Sequence, residues 1–329
     1  MEKKFFMVCL VVGILLTRLA FAQDESIFKL QQSFIDQAGI NASYNTADSN
    51  SPYNPATSPE IGDLGAKGNI STGFGTTNFS TGGIHFQYYG GAAEVPGAKG
   101  LFVSGYLYKT RGGFTFNREV PLSGCDLNAT IDGTEICLGY KATPNLNIGV
   151  AIQKQEGNSY INFANNNLVS VHSASEGDCR YGAQYTAGKL KLGAVYATRD
   201  DKVDMDIYPA LTGAPQNIKM SGTCQTRAWT YGANYNISPA TSVFYNQKNT
   251  EYTLPSGTAT NESCTYYGVQ QYILPELSLK LAEYDNFPEL TLNYLDQKGW
   301  SGSFYYRKGK SVPGFGPSDT YFFGVGKYF

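Results

Sequence analysis

The chain has 329 residues, a formal net charge of −2 and only 16% charged residues, yet it carries 37 glycines, 25 tyrosines and 19 phenylalanines. So small a net charge leaves no electrostatic footprint for nucleic acid, and two histidines leave little for a histidine-based metal site. Beyond the N-terminus there is no run of about eighteen apolar residues, which excludes helical membrane spans and leaves a soluble protein or a β-barrel; the low charge and aromatic load favour the barrel.

The first residues set the compartment. Lys3 and Lys4 form a basic start, Phe5 to Leu16 is apolar, and Ala20-Phe21-Ala22 before Gln23 is a small-x-small cleavage signature, so residues 1–22 read as a signal peptide. The apolar core is too short for a spanning helix, and no cysteine stands at the cleavage point. Export to an oxidising compartment permits disulfides. Once Cys9 leaves with the signal, Cys125, Cys137, Cys179, Cys224 and Cys264 remain, an odd set that cannot all pair within one chain. Cys125 and Cys137 flank one predicted loop and are the candidates for a staple; the alternative for the other three is partly buried free thiols. No Cys-x-x-Cys spacing occurs, and neither a metal nor a cofactor is expected.

Residues 23–67 differ in kind from the rest of the chain. Asp24 to Ala38 places Ile27, Leu30, Phe34 and Ala38 at helical spacing with Gly39 as a stop, predicting a short amphipathic helix. A Ser, Asn and Pro stretch containing Tyr53-Asn54-Pro55-Ala56 then reads as loop.

From Gly68 to the end the sequence repeats an alternating segment and a turn, predicting an all-β transmembrane antiparallel barrel of about fourteen strands over residues 68–329. Leu146, Ile148, Val150 and Ile152 form one phase, for lipid; Asn147, Gly149, Ala151 and Gln153 form the other, for the lumen. The same phasing puts Leu190, Leu192, Leu277, Leu279, Leu281, Trp300 and Phe304 outward. Connections 142–144, 187–188, 237–240, 273–275 and 296–298 are short, whereas 118–128, 157–177, 200–222, 253–262 and 309–317 are long. That asymmetry matches short periplasmic turns and long external loops, with both chain ends periplasmic. A near-repeat, Tyr181-Gly182-Ala183-Gln184-Tyr185 and Tyr231-Gly232-Ala233-Asn234-Tyr235, echoed at Tyr267-Gly268, supports the register and places tyrosines at headgroup level.

The last strand sets Tyr321, Phe323, Val325 and Phe329 on one phase. It resembles the C-terminal strand of Gram-negative outer-membrane barrels, which implies residence in the outer membrane among its lipids and recognition by the barrel-assembly machinery. Lys327 departs from that pattern, where an apolar residue is usual. Together with the strand number, Tyr53-Asn54-Pro55-Ala56 also resembles the outer-membrane long-chain fatty acid and hydrophobic-compound transporter family. The resemblance implies a lumenal plug made by the N-terminal segment, with Phe28, Phe34, Tyr53, Asn54 and Pro55 as plug residues. A tail in the periplasm or lumen without a gating role is the alternative.

On this phasing the lumen is lined by His85, Gln87, Asn147, Arg180, Gln184, Lys191, Lys280, Asn293 and Arg307, against Glu135 as the inward acid. Such a lining is mildly basic and would lean towards anionic solutes, unless the charges pair with each other or with the plug. His172, followed by Ser173 and Ser175 in a long predicted loop, could pair with a nucleophile, but His85 is distant in sequence from any convincing Ser and carboxylate partners, and no enzyme is expected. Two function classes remain. One is an outer-membrane channel or transporter for small solutes, hydrophobic compounds included, the solute itself being unidentified. The other is a structural or surface-adhesive barrel without transport.

Overall fold

The computed structural model describes residues 54–56, 68–79, 82–96, 101–116, 125–163, 166–175, 178–209, 216–253, 257, 259–296, 298–312 and 316–328. The expected signal peptide, the helix over 24–38 and the plug residues Phe28, Phe34 and Tyr53 lie outside the described residues. The described part is antiparallel β-structure: β1 (Gly68–Phe79), β2 (Gly82–Pro96), β3 (Leu101–Phe116), β4 (Cys125–Thr143), β5 (Leu146–Phe163), β6 (Asn166–Ser175), β7 (Asp178–Ala187), β8 (Leu190–Ile207), β9 (Ile218–Ser238), β10 (Thr241–Thr253), β11 (Ala259–Leu274), β12 (Leu277–Tyr284), β13 (Phe287–Leu295), β14 (Trp300–Val312) and β15 (Gly316–Tyr328).

Neighbours in sequence pair, and β1 pairs with β15 as well as β2, so the sheet closes on itself. β6 and β7 share one place: β5 pairs with β7 through Leu146–Gln153 and with β6 through Glu156–Phe163, while β8 pairs with both. They are the upper and lower parts of one descending strand, which gives a 14-stranded barrel. Closure satisfies every ladder without an edge inside the bilayer, the condition for a β-structure to cross one.

The alternation in the sequence exists because the two faces meet different surroundings. On β5, Ile148 and Ile152 are 44% and 57% exposed, whereas Ala151 and Gln153 are 1% and 6% exposed. Leu192, Leu281, Trp300, Phe304, Tyr321, Phe323 and Val325 are likewise on the exposed outer face, and the tyrosines of the Tyr-Gly repeat join them. The expected short turns occur at 143–146, 187–190, 238–241 and 274–277. On the opposite rim, Asp285 and Asn286 adopt positive φ (49° and 70°) to join β12 to β13 by a two-residue hairpin.

Three expectations are corrected. Segments 157–177 and 200–222, read as long loops, are largely strand: β5, β8 and β9, of 18, 18 and 21 residues, run far past the roughly 9–11 residues that a spanning strand needs, and β6 pairs with their upper parts. In this extension the hydrophobic phase flips. Val169, Met205 and Ile207 hold the inward phase, and His172, Lys202, Asp204 and Asp206 the outward one. No lipid bathes the outer face there, so apolar residues move inside. His172 is therefore a strand residue, its Nδ1 2.9 Å from Asn158 Oδ1. The Cys125–Cys137 staple is excluded, because both lie on β4, twelve positions and about 40 Å apart along the strand, against the roughly 6 Å between Cα atoms that a disulfide tolerates. Cys137 is buried, and among the described residues neither it nor Cys179, Cys224 or Cys264 forms a disulfide. The third correction is to Gln87, which is exposed and sits opposite Phe74, itself 61% exposed, so it belongs to the outer face. His85, paired with Thr76, has the same strand parity. The register sets Gly73 and Gly75, on the buried phase of β1, opposite Tyr88 and Phe86.

Candidate functional site

The inner face of the barrel divides into two walls. The first is made by β4, β5 and β7, where Cys137, Gly139, Gly149, Ala151 and Gly182 place small groups on the inward phase. Gly149 and Gly182 are cross-strand partners. Asn54, Pro55 and Ala56 are seated on them, fully buried. Asn54 Nδ2 donates to the Ala183 carbonyl at 3.1 Å, and Asn54 Oδ1 accepts from the Ala56 amide at 3.0 Å, a side-chain turn that presents the following proline to the wall. The fit is possible only because the wall lacks side chains there. A Cβ built on Gly149 would fall onto the Pro55 carbonyl group, and one on Gly182 onto the Asn54 side chain.

Next to this seat the same wall carries charge. Arg180 pairs with Glu135, both buried, and the Cys137 thiol lies 3.1 Å from Glu135 Oε1. Higher up, Arg199 grips Asp201 with two hydrogen bonds (2.7 and 2.9 Å), reaches Gln155 Oε1 at 3.2 Å and stands 3.5 Å from Asp178. Ser175 Oγ accepts from the Gln155 amide at 2.8 Å, tying the lower end of β6 to β5 just above the β6–β7 break.

The second wall, from β10 to β15, carries a cluster of rings among buried polar side chains such as Asn246, Gln270 and Thr291. Phe244 and Tyr266 have ring centroids 4.9 Å apart, and Tyr266 and Tyr284 are 6.2 Å apart. Buried Glu289 accepts from the hydroxyls of Tyr266 (2.9 Å) and Tyr305 (3.0 Å). Lys280 Nζ lies 5.6 Å from the Tyr266 ring and the Arg307 guanidinium 5.1 Å from that of Tyr284, distances at which a ring face attracts a cation.

Of the residues assigned inward from sequence, Glu135, Arg180, Gln184 and Lys280 are buried on the inner face. Asn147, Lys191, Asn293 and Arg307 are half-buried on the same phase. Glu135 and Arg180 come together; Lys280 and Arg307 meet the aromatic wall instead. Asp178, Asp201 and Glu289 are inward acids that the sequence reading passed over, and Arg199 and Lys248 inward bases that it passed over too, so the expected basic excess falls by only one charge. Glu289 had a signal, since it shares the phase of Asn293; Asp178 and Asp201 lay near or in stretches read as loop. Among the described residues no cluster of His, Cys, Asp and Glu has the arrangement of a metal site.

No protein-family model matches the chain, and no curated protein matches its sequence. Solved structures do. The toluene transporter TbuX of Ralstonia pickettii superposes with a TM-score of 0.57 at 12% identity, covering 90% of this chain and 98% of that one. A Pseudomonas aeruginosa FadL homologue gives 0.56 at 11%, covering 92% and 97%. The translocator domain of the autotransporter NalP from Neisseria meningitidis gives 0.54 at 10%, covering 94% and 98%. At such identities the likeness is one of fold: the chain has the architecture of outer-membrane β-barrels.

Proposed function

We propose that the chain resides in the outer membrane as a channel for small hydrophobic compounds, with the segment before β1 acting as a plug. The observation that carries this is the burial of Asn54–Ala56 on the Gly149–Gly182 seat: a segment outside the barrel sequence occupies the lumen, on a patch shaped to receive backbone. Transporters of toluene and FadL homologues share the fold, which supports hydrophobic cargo. An aromatic opposite wall supports it further, because flat rings offer apolar area to a solute at low conformational cost.

The test is deletion of residues 24–66 from the otherwise full chain, reconstituted in planar bilayers and in liposomes. The intact protein should conduct ions poorly yet admit a small aromatic hydrocarbon, and the deletion should raise ion conductance. Unchanged conductance would overturn the plug. Failure of the intact protein to admit the hydrocarbon would overturn the cargo.

A further inference from the structure

On β9 the outward phase is apolar from Ile237 to Trp229, which stands nine positions from the turn at Ser238, the length that a tilted strand needs to cross a bilayer. Trp229, 56% exposed, and Tyr231 just below it therefore sit at the outer headgroup level, where aromatic belts form. The Tyr196 ring lies against Trp229 at a centroid distance of 4.6 Å. Register brings polar side chains to these rings: Asn249 of β10 is opposite Trp229, Gln247 is opposite Tyr231, and Ser263 of β11 is opposite Asn249. The three form a ladder at the protein surface, in which Ser263 Oγ donates to Asn249 Oδ1 at 2.9 Å and Gln247 Nε2 donates to Ser263 Oγ at 3.3 Å. A second measure gives the same height. β12 ends at Tyr284, opposite Tyr266, and turns at Asp285 and Asn286, whereas Ser263 lies three positions farther along β11, beyond the rim of that hairpin.

Its height sets what covers this patch, because the headgroups of the outer leaflet surround every strand there. The side chains set which headgroup fits. Amides and hydroxyls both donate and accept, as sugar hydroxyls do, and the adjoining rings offer flat apolar faces to the C–H face of a pyranose. Hydrocarbon would leave the same amides unsatisfied at a cost of several kcal/mol each, so the ladder suits a hydroxyl-rich neighbour and not an acyl chain. Local charge disfavours an anionic head: Arg227 is held by Asp200 at 2.7 Å and stands opposite Glu251, which leaves one acid in excess. We infer that the outer face of β9–β11 binds the uncharged saccharide head of an outer-leaflet glycolipid, a sugar ring packing on Trp229 and Tyr231 and its hydroxyls bonding to Gln247, Asn249 and Ser263. The inference rests on the place of the barrel in the membrane and not on the transport reading.

The chain has two tryptophans, Trp229 and Trp300, so a Trp300→Phe chain reports on Trp229 alone. The probe is diglucosyl diacylglycerol with brominated acyl chains, present as a minor component of phosphatidylcholine vesicles that hold the full chain; a parallel set holds brominated phosphatidylethanolamine. Bromine quenches a tryptophan only at close range, so quenching measures which lipid stands beside Trp229. Saccharide binding predicts quenching as though the glycolipid were enriched about tenfold over the phospholipid, the scale of one or two hydrogen bonds. Gln247→Ala with Asn249→Ala should abolish the enrichment while the barrel keeps its folded electrophoretic mobility. Equal quenching by the two lipids would overturn the inference. Enrichment that survives the double substitution would overturn it too, reducing the patch to an aromatic belt. If neither lipid reaches Trp229 and two copies of the chain cross-link through this face, the face is an interface between copies and the inference fails. None of these readouts depends on solute uptake.

Discussion

The two walls of the lumen hold comparable structural roles with opposite side-chain volumes. On β4, β5 and β7 the inward positions at the seat are glycine, alanine and cysteine, and the space they leave is taken by backbone from another part of the chain, Asn54–Ala56. From β10 to β15 the inward face carries the rings of Phe244, Tyr266, Tyr284, Tyr305 and Phe322 among buried polar residues such as Asn246, Gln270 and Thr291. The electrostatics differ accordingly. The small-residue wall joins Glu135 to Arg180 directly, charge against charge, whereas on the aromatic wall Glu289 is held by two phenol hydroxyls and Lys280 and Arg307 stand over rings. A wall that receives a separate segment is a wall from which that segment can leave. A wall packed by its own rings has nothing to release.

That contrast is broken most severely at the carboxylates. Glu135→Ala removes the ion-pair partner of a buried guanidinium and should cost about 3–5 kcal/mol of stability, most of it regained in Glu135→Leu with Arg180→Leu. Glu289→Ala deprives two neutral hydroxyls of an acceptor and removes the acid that stands opposite Arg307 in register, and should cost about 1–3 kcal/mol. Denaturant unfolding in lipid vesicles, followed by fluorescence of Trp229 and Trp300, measures both. Equal losses would mean that the two acids are held in the same way.

A milder test uses two glycines. Gly182→Val has no room while Asn54 is seated, so the turn must leave; conductance should rise, with a loss of about 1–3 kcal/mol if the turn is forced to stay. Gly302, on the outward phase of β14, meets nothing within 4 Å of a built Cβ, and Gly302→Val should leave both conductance and stability unchanged. If Gly182→Val conducts no better than the native chain, the seat does not control the lumen.

The sequence made one side of the barrel readable because lipid imposes a strict rule on it. Wherever a strand crosses the bilayer the outer phase must be apolar, and Leu146 to Gln153 announce that directly. Above the bilayer the rule lapses. Val169, Met205 and Ile207 turn inward and Lys202, Asp204 and Asp206 outward, so β6 and the upper parts of β8 and β9 looked like polar loop. β2 was misphased: Gln87 was assigned inward, but its register partner Phe74 lies on the exposed phase of β1. The Asn54-Pro55-Ala56 turn was visible as a motif, but its seat was not. Gly149 and Gly182 are 33 positions apart in the chain and become one surface only through the β5–β7 register.

Lys327 gives the smallest effect and bears on the strand that closes the barrel. As a cation on the outward phase of β15 it reads from sequence as a defect in an apolar series. In the structure its ammonium donates to the Lys298 carbonyl and lies 5.1 Å from the ring of Trp300, the residue opposite it on β14. Both neighbours stand at the rim that carries the short turns, where a long side chain can keep its charge in water while its stem covers apolar surface. Lys327→Tyr replaces one ring-facing group by another and removes a hydrogen bond that is exposed. The cost should therefore stay below about 1 kcal/mol, the scale of an exposed cation over a ring. Unfolding free energies of the native and substituted chains in the same vesicles would settle the matter. A loss of several kcal/mol would make Lys327 a clamp on the β14–β15 seam, and the contrast between the lumen walls would then have to include the rim that joins them.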